Sequence, residues 1–224
     1  MTDSKHRAFL ASVVLACAFA LIALTVHWRL WSSIDWGLLL MLQSWLPRAV
    51  DVLFSILSLL GSVEITTLIF LAMVWRARPA QRLSWLVAFA LIAIIEIAGK
   101  TVIGQSEPAS KLSRYVFHIG LPTGYISTNY SFPSGHAARA TFLTVLAMNM
   151  LAAHPRRPAI VWGYVAILGI ASLMLVSRVY LADHWFTDVF GGALLGSACA
   201  AFALAWEIKL PDAITRIIQP KHQP

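Results

Sequence analysis

Long apolar runs, separated by short loops that carry most of the basic residues, make up most of the chain. They occupy residues 8–26, 51–75, a stretch from about 83, 133–153, a stretch ending near 179, and 185–206. A helix needs about 20 apolar residues to cross the hydrocarbon core of a bilayer. The pattern therefore predicts an all-α polytopic membrane protein: a bundle of six transmembrane helices that forms a single domain over residues 1–224.

Two of the N-terminal segments need a closer reading. Residues 8–26 follow Lys5, His6 and Arg7, which is typical of either a signal peptide or a first spanning helix. An uncharged run of 19 residues favours a helix that is retained, because the apolar part of a signal peptide is only about 7 to 15 residues long. Residues 35–47 lie in a tryptophan-rich part of the chain. Tryptophan prefers the headgroup level, so we predict an interfacial helix there that ends near Pro47.

The composition supports a membrane protein and argues against a nucleic-acid-binding protein. Hydrophobic residues make up 59% of the chain and charged residues only 12%, whereas soluble domains average about 25% charged residues. The net charge of +7 arises from basic residues that follow the loops instead of clustering on one face. We therefore expect the lipid bilayer, and no nucleic acid, as a partner. Cys17 and Cys199 lie inside apolar runs and are expected to pack there without forming a disulfide.

The distribution of basic residues between alternate loops predicts the orientation. Cytoplasmic loops of membrane proteins carry an excess of lysine and arginine, which places both termini in the cytoplasm and the opposite helix ends outside, in a bacterium on the periplasmic side of the inner membrane. Ten basic residues fall on the first side (Lys5, Arg7, Arg76, Arg78, Arg82, Arg156, Arg157, Lys209, Arg216 and Lys221) and four on the other (Arg29, Arg48, Lys111 and Arg114).

Two short stretches bring ionisable residues into this apolar chain, residues 133–136 and 177–188. Charged groups inside a membrane are costly, so a cluster of them indicates a functional site. His184 and Asp188 are four residues apart, and on one helical face the carboxylate can hold an imidazole N–H and leave the other ring nitrogen free to attack. Arg178 supplies a planar guanidinium that matches a phosphate.

Residues 133–136 read as a loop that enters a helix. Ser134 is the expected N-terminal cap, and Gly135 allows a close approach of the backbone. A helix start of this kind offers free N–H groups to an anion. Two histidines, His136 and His184, are then available, one for nucleophilic attack and one for proton donation to a leaving oxygen.

These residues resemble the type 2 phosphatidic acid phosphatases (PAP2), whose pattern has three parts. The second part, Pro-Ser-Gly-His, ends at His136, and the third, Ser-Arg-x5-His-x3-Asp, ends at Asp188; both are complete. The first, Lys-x6-Arg-Pro, begins at Lys100 but has Glu107 where the family has arginine. The resemblance covers residues 100–188, and the hydrocarbon content argues against the water-soluble haloperoxidases that share the motifs.

The resemblance implies a membrane phosphatase that needs no metal or other cofactor. His184 would attack phosphorus to give a phosphohistidine, Asp188 would orient it, and His136 would protonate the leaving oxygen. Lys100, Ser134, Gly135 and Arg178 would hold the phosphoryl oxygens. An isoprenoid diphosphate is the first choice of substrate, ahead of phosphatidic acid, phosphatidylglycerophosphate and lipid A phosphates. A lipid phosphotransferase and a non-catalytic relative remain as alternatives.

Glu107 is expected to need compensation, because a carboxylate facing a phosphate repels it. We expect Arg139 either to supply the missing guanidinium or to be held by Glu107, unless it extends outward to the membrane surface. Lys111 and Arg114 are alternative cations. With His118, Tyr115, Tyr125 and Tyr130 they form a surface suited either to an anionic head group or to interfacial lipid contacts. Glu96, four residues before Lys100, either neutralises that lysine or leaves it facing a phosphate.

Overall fold

The structure, a computed structural model, describes residues 3–117, 129–152 and 157–206. Its regular elements are helices, and Ser106 and Tyr130 form an isolated bridge between two loop segments. The eight α-helices of the described residues are α1 (Asp3–His27), α2 (Ser32–Trp45), α3 (Asp51–Leu60), α4 (Val63–Arg76), α5 (Pro79–Ile103), α6 (Gly135–Ala152), α7 (Arg157–Tyr180) and α8 (Phe186–Ala205).

Within the part of the chain that the structure describes, four helices are long and apolar enough to cross a membrane: α1, α5, α8 and the Ile160–Tyr180 part of α7. The segments Ser32–Trp45 and Arg48–Leu60 form a fifth candidate, a single span bent by 97°. The prediction of an all-α multi-pass membrane protein is confirmed, and so is α1 as a helix long enough to span. The count of six spans is not confirmed. The helix predicted over residues 35–47 is present as α2, and its interfacial position stays a prediction.

The run 51–75, predicted as one span, is two helices, and this prediction is wrong. α3 ends at Leu60 and α4 begins at Val63. Ser62 is the extended N-cap of α4, and its hydroxyl accepts the Ile65 N–H at 3.4 Å. Gly61 faces His136, whose Cδ2 would be 2.9 Å from a Cβ at that position. The chain therefore breaks where a helix with side chains would collide with the predicted site.

Helix α8 packs against α6 through glycines. A Cβ at Gly192 would lie 2.3 Å from the carbonyl oxygen of Ser134, and one at Gly196 would lie 2.1 Å from that of Ala138. The two backbones are thus in direct contact, as expected for small residues between membrane helices. This contact brings the start of α6, with His136, beside the start of α8, with Asp188.

Candidate active site

The polar motifs meet at one end of the helices. Lys100 lies in the last turn of α5, His136 in the first turn of α6, Arg178 in the last turn of α7 and Asp188 in the first turn of α8. The rings of His136 and His184 have their centroids 6.5 Å apart. The structure therefore brings residues separated by almost ninety positions in the chain, Lys100 to Asp188, to one end of the bundle.

His184 and Asp188 are in contact, but not for the reason the spacing suggested. His184 Nδ1 lies 3.5 Å from Asp188 Oδ2. His184 precedes α8 and Trp185 is the N-cap, so the two residues do not share a helical face. Asp188 instead turns back toward the helix start, where its Oδ2 also accepts the Trp185 N–H at 2.8 Å. The side chain that caps α8 thus also lies beside the imidazole of His184.

The environment of His184 favours the neutral imidazole. Its side chain is buried, and burial lowers its pKa well below the ordinary value of 6.5. The positive charges of Arg178 and Lys100 lower this pKa further, and Glu96 opposes them. A neutral ring with Asp188 on its Nδ1 side has Nε2 as the nitrogen available for nucleophilic attack.

A tight turn joins α7 to His184 and carries a residue that the motifs did not identify, Asp183. The amide N–H groups of Asp183 and His184 both donate to the Arg178 carbonyl at 3.1 Å, and Ala182 has a positive φ of 57°. The Asp183 carboxylate contacts Arg178 Nη2 and lies 3.6 Å from His184 Nε2. It therefore lies beside both the predicted nucleophile and the predicted phosphate ligand. We call Asp183, Arg178 and His184 the Asp183 cluster.

The other end of the Arg178 guanidinium is held by two hydroxyls. Arg178 Nη1 donates to Ser58 Oγ on α3 and to the Tyr115 hydroxyl at 2.6 Å. The two hydroxyl oxygens are 2.7 Å apart. Neither residue belongs to the three motifs. The sequence does carry a signal for the polar helix face that includes Ser58. Serines recur at a helical spacing within an apolar run, at Ser55, Ser58 and Ser62.

A second group of charges lies at the start of α6. Glu96 accepts from Arg139 Nη1 at 2.7 Å and lies 3.3 Å from Lys100 Nζ. Its carboxylate lies directly against Gly135, where a Cβ would be 2.1 Å from either oxygen. The predicted pair of Glu96 with Lys100 is confirmed. The approach of a phosphate to the Gly135 backbone stays a prediction, and in this structure Glu96 occupies that place. We call Glu96, Lys100 and Arg139 the Glu96 cluster.

Ser134 caps α6 as predicted. Its Oγ accepts the Ala137 N–H at 3.4 Å, and its carbonyl accepts the Ala138 N–H at 3.0 Å. The Ser134 N–H itself donates to the Asp188 carbonyl at 3.0 Å. The starts of α6 and α8 are therefore tied by a backbone bond beside the two histidines.

The expected pairing of Arg139 with Glu107 is wrong. Arg139 is buried and its guanidinium bonds to Glu96 on α5. It therefore also does not extend outward to the membrane surface. Glu107 lies exposed on the loop after α5, where partial burial of its carboxyl group raises its pKa and the charge of Lys100 opposes that rise.

Arg114 and Lys111, the alternative cations expected to compensate Glu107, lie in two different places. Arg114 donates to the Tyr180 hydroxyl and to the Gln43 carbonyl, both at 2.7 Å, so it fastens the loop after α5 to α2 and α7. Lys111 is exposed on a short 3₁₀ turn. His118 and Tyr125 lie outside the described residues.

Asp35 of α2 braces the site from the side and was missed in the sequence. Its two oxygens accept the Thr187 N–H at 2.9 Å and the Thr187 hydroxyl at 2.8 Å. Gln105 Nε2 is 3.3 Å from the same carboxylate. The signal that could have identified Asp35 is the presence of an acidic residue inside an apolar segment. Asp35 thus fixes the first turn of α8, which carries Asp188.

Comparisons with known proteins agree with the motifs. The sequence profile described as the PAP2 superfamily matches residues 105–211. An undecaprenyl-diphosphatase of Sulfolobus acidocaldarius is 34% identical over 116 residues, 50% of this chain and 48% of that protein. Phosphatidylglycerophosphatase B of Bacillus subtilis is 36% identical over 76 residues, 31% of this chain and 35% of that protein. The chain thus spans half or less of the length of these two relatives.

A solved structure is similar over nearly the whole chain. The crystal structure of a transmembrane PAP2-type phosphatidylglycerolphosphate phosphatase from Bacillus subtilis superposes with a TM-score of 0.68 and 21% identity, and covers 93% of this chain and 98% of that one. It establishes the fold. The sequence profile confirms the family resemblance drawn from the motifs: residues 105–211 of this multi-pass membrane chain match the PAP2 superfamily.

Proposed function

We propose that the protein hydrolyses a lipid phosphate or diphosphate at the paired histidines. The observation that carries the proposal is the buried His184, whose Nδ1 lies 3.5 Å from Asp188 Oδ2 and whose Nε2 lies 3.6 Å from the Asp183 carboxylate that contacts Arg178. A nucleophile oriented by a carboxylate and facing a guanidinium is an arrangement suited to phosphoryl transfer. The relatives named as phosphatases of lipid substrates support the same reaction.

The proposed reaction has two steps. His184 Nε2 attacks phosphorus, and the bond between phosphorus and the leaving oxygen breaks while His136, protonated when the anionic substrate binds beside it, donates that proton to the leaving oxygen. Water then attacks the phosphohistidine, His136 takes its proton, and inorganic phosphate leaves with the regenerated imidazole. Arg178, Lys100, the Ser134 hydroxyl and the Gly135 N–H stabilise the negative charge on the phosphoryl oxygens in both steps.

Asp183 must move before substrate can bind. Its carboxylate lies between Arg178 and the attacking nitrogen, where the phosphoryl group has to lie. Its side chain is 35% exposed and belongs to a turn, so it can swing away. Asp183 therefore competes with the substrate anion in the resting enzyme.

An isoprenoid diphosphate is the proposed substrate, with glycerophospholipid and lipid A phosphates as the next candidates. The undecaprenyl-diphosphatase and the phosphatidylglycerophosphatase among the relatives support both first classes. Assaying purified protein against one lipid of each class, with released and lipid-transferred phosphate measured together, tests the choice. We expect released phosphate and no effect of EDTA. Phosphate recovered on a second lipid identifies a phosphotransferase, and absence of any turnover identifies the non-catalytic relative.

The proposed location is a bacterial inner membrane, with the site on the periplasmic side and both termini in the cytoplasm. The excess of basic residues in alternate loops supports this orientation. Reporter fusions at the C-terminus and in the loop 76–82 should be cytoplasmic, and one near Thr123 external. A cytoplasmic reporter at Thr123 would contradict the orientation.

A further inference from the structure

We infer that Tyr115 and Ser58, which lie outside all three motifs, are positioning residues that set the guanidinium of Arg178 for phosphoryl transfer. The inference rests on the proposed function. Both hydroxyls contact the same nitrogen, Nη1. Ser58 and Arg178 are buried, and Tyr115 is half-buried. The contact is therefore made away from bulk water, where a fixed hydrogen bond constrains a charged group most effectively.

The two hydroxyls leave the useful part of the guanidinium open. Arg178 Nη2 faces the Asp183 carboxylate, and Nε has no hydrogen-bond partner among the described residues. A guanidinium binds a phosphate through two adjacent N–H groups, and Nη2 and Nε form such a pair. With Nη1 bonded to two hydroxyls, the guanidinium is constrained in a position where Nη2 contacts the Asp183 carboxylate. It is that carboxylate which the substrate phosphate replaces.

The loop that carries Tyr115 is itself fastened on both sides of this residue. The Arg114 N–H donates to the Leu181 carbonyl at 3.3 Å, and the Val116 N–H donates to Ser55 Oγ at the same distance. The Arg114 side chain adds bonds to Tyr180 and Gln43. The Tyr115 hydroxyl is thus held by a preformed frame spanning α2, α3 and α7, which is the condition for orienting a catalytic group at little cost in the transition state.

The chain offers a matched control. Tyr164 lies on α7, outside the three motifs, and is half-buried like Tyr115. Its hydroxyl donates to the Met148 carbonyl at 3.3 Å. Tyr115→Phe and Tyr164→Phe each remove one hydroxyl and nothing else. Ser58→Ala tests the second tether independently, and its small change in volume keeps the inference open to test if one variant folds poorly.

The decisive experiment is a double-mutant cycle that combines Tyr115→Phe with Arg178→Lys. Its readouts are kcat and KM on a lipid phosphate that the parent hydrolyses. We expect Tyr115→Phe to lower kcat by about 10- to 100-fold with little change in KM, because a misoriented group loses transition-state contacts first. Ser58→Ala should act in the same sense, and Tyr164→Phe should match the parent. In the Arg178→Lys background Tyr115→Phe should add less than about twofold, because the effect passes through the guanidinium. Equal kcat of Tyr115→Phe and the parent, or a full additional loss in the Arg178→Lys background, overturns the inference.

A binding measurement separates this inference from the proposed function. Orthovanadate mimics the five-coordinate phosphorus and should raise the melting temperature of the parent and of Tyr164→Phe, but less that of Tyr115→Phe. If no lipid phosphate is hydrolysed but the vanadate shift is lost in Tyr115→Phe, the proposed function fails and the positioning of Arg178 stands. An unchanged shift in Tyr115→Phe contradicts the positioning, and a parent that shows neither turnover nor a shift overturns both.

Discussion

The Glu96 cluster and the Asp183 cluster both pair cations of the site with a carboxylate, but the two carboxylates differ in exposure and in the element that carries them. In both, a carboxylate of the chain itself binds cations expected to hold the substrate phosphate. Glu96 lies on α5, is only 15% exposed and contacts two cations and Gly135. Asp183 lies on a turn, is 35% exposed and contacts Arg178 and the nucleophile. The difference indicates that Glu96 is a permanent part of the site, whereas Asp183 is a displaceable occupant.

The largest effect should follow from removing the charge of Glu96. Glu96→Gln leaves Arg139 and Lys100 without a counter-charge in a buried place, which is expected to destabilise the protein by about 3 kcal/mol. The melting temperature of the detergent-solubilised protein should fall clearly. Released phosphate is measured on the same samples. Asp183→Asn is the comparison and should lower the melting temperature less, because the Asp183 carboxylate is 35% exposed and Arg178 keeps its bonds to the Ser58 and Tyr115 hydroxyls. Equal stability of the two variants would erase the distinction between the clusters.

The next effect tests whether the cations of the Glu96 cluster act on the substrate. Arg139→Ala should lose about 2 to 4 kcal/mol of transition-state stabilisation, or roughly 30-fold to several hundred-fold in kcat/KM, if its guanidinium also faces the phosphoryl oxygens. Glu107→Arg in the Arg139→Ala background should not restore the loss, because the partner of Arg139 is Glu96. An Arg139→Ala enzyme as active as the parent would assign Arg139 to structure alone.

Loss of the Asp183 charge should raise activity. In Asp183→Asn the competing anion is gone, so the fraction of enzyme with an open site rises and the apparent KM falls by roughly threefold to tenfold. Steady-state kinetics on the same lipid phosphate measures this, with inorganic phosphate as a competing inhibitor. An unchanged KM would contradict the idea that Asp183 competes with substrate.

A smaller effect concerns pH. Because the folded pKa of His184 is lowered below 6.5, the imidazole stays neutral as the pH falls through that value, and kcat/KM should hold to a lower pH than an ordinary histidine allows. The unfolded chain binds the proton first, so this group destabilises the fold as the pH drops from 6.5 toward the lowered pKa. Lys100→Gln removes one of the charges that lower the pKa of His184, so the acidic limb of the pH profile of kcat/KM should move to higher pH. A limb that does not move would exclude the lysine charge as a cause.

The sequence predicted those features that depend on local chemistry. Ser134 as a cap and the Glu96–Lys100 pair follow from rules that hold within a few residues, and both are present. His184 and Asp188 were correctly paired for the wrong reason, because helix spacing and N-terminal capping produce the same separation. The break after Leu60 has a local signal in Gly61-Ser62, but the sequence does not show that the distant His136 ring lies against Gly61.

The tethering of Arg178 could not be predicted from spacing. Ser58 and Tyr115 are 120 and 63 residues from Arg178, and only the packing of α3 and the fastened loop brings the three together. The same holds for Arg139, where sequence proximity favoured Glu107 and the fold supplies Glu96 from the C-terminal part of α5. Long-range partners of buried charges depend on helix rotation, which a hydropathy pattern leaves open.

The most direct test of the central claim is to find where the phosphoryl group rests during turnover. Protein mixed with a lipid substrate labelled with ³²P in its terminal phosphate is quenched in alkali, which preserves phosphohistidine, and the labelled peptide is identified. The account predicts label on His184 in the parent, and neither label nor released phosphate in His184→Ala. Label on another residue, or turnover in His184→Ala comparable to the parent, would contradict it.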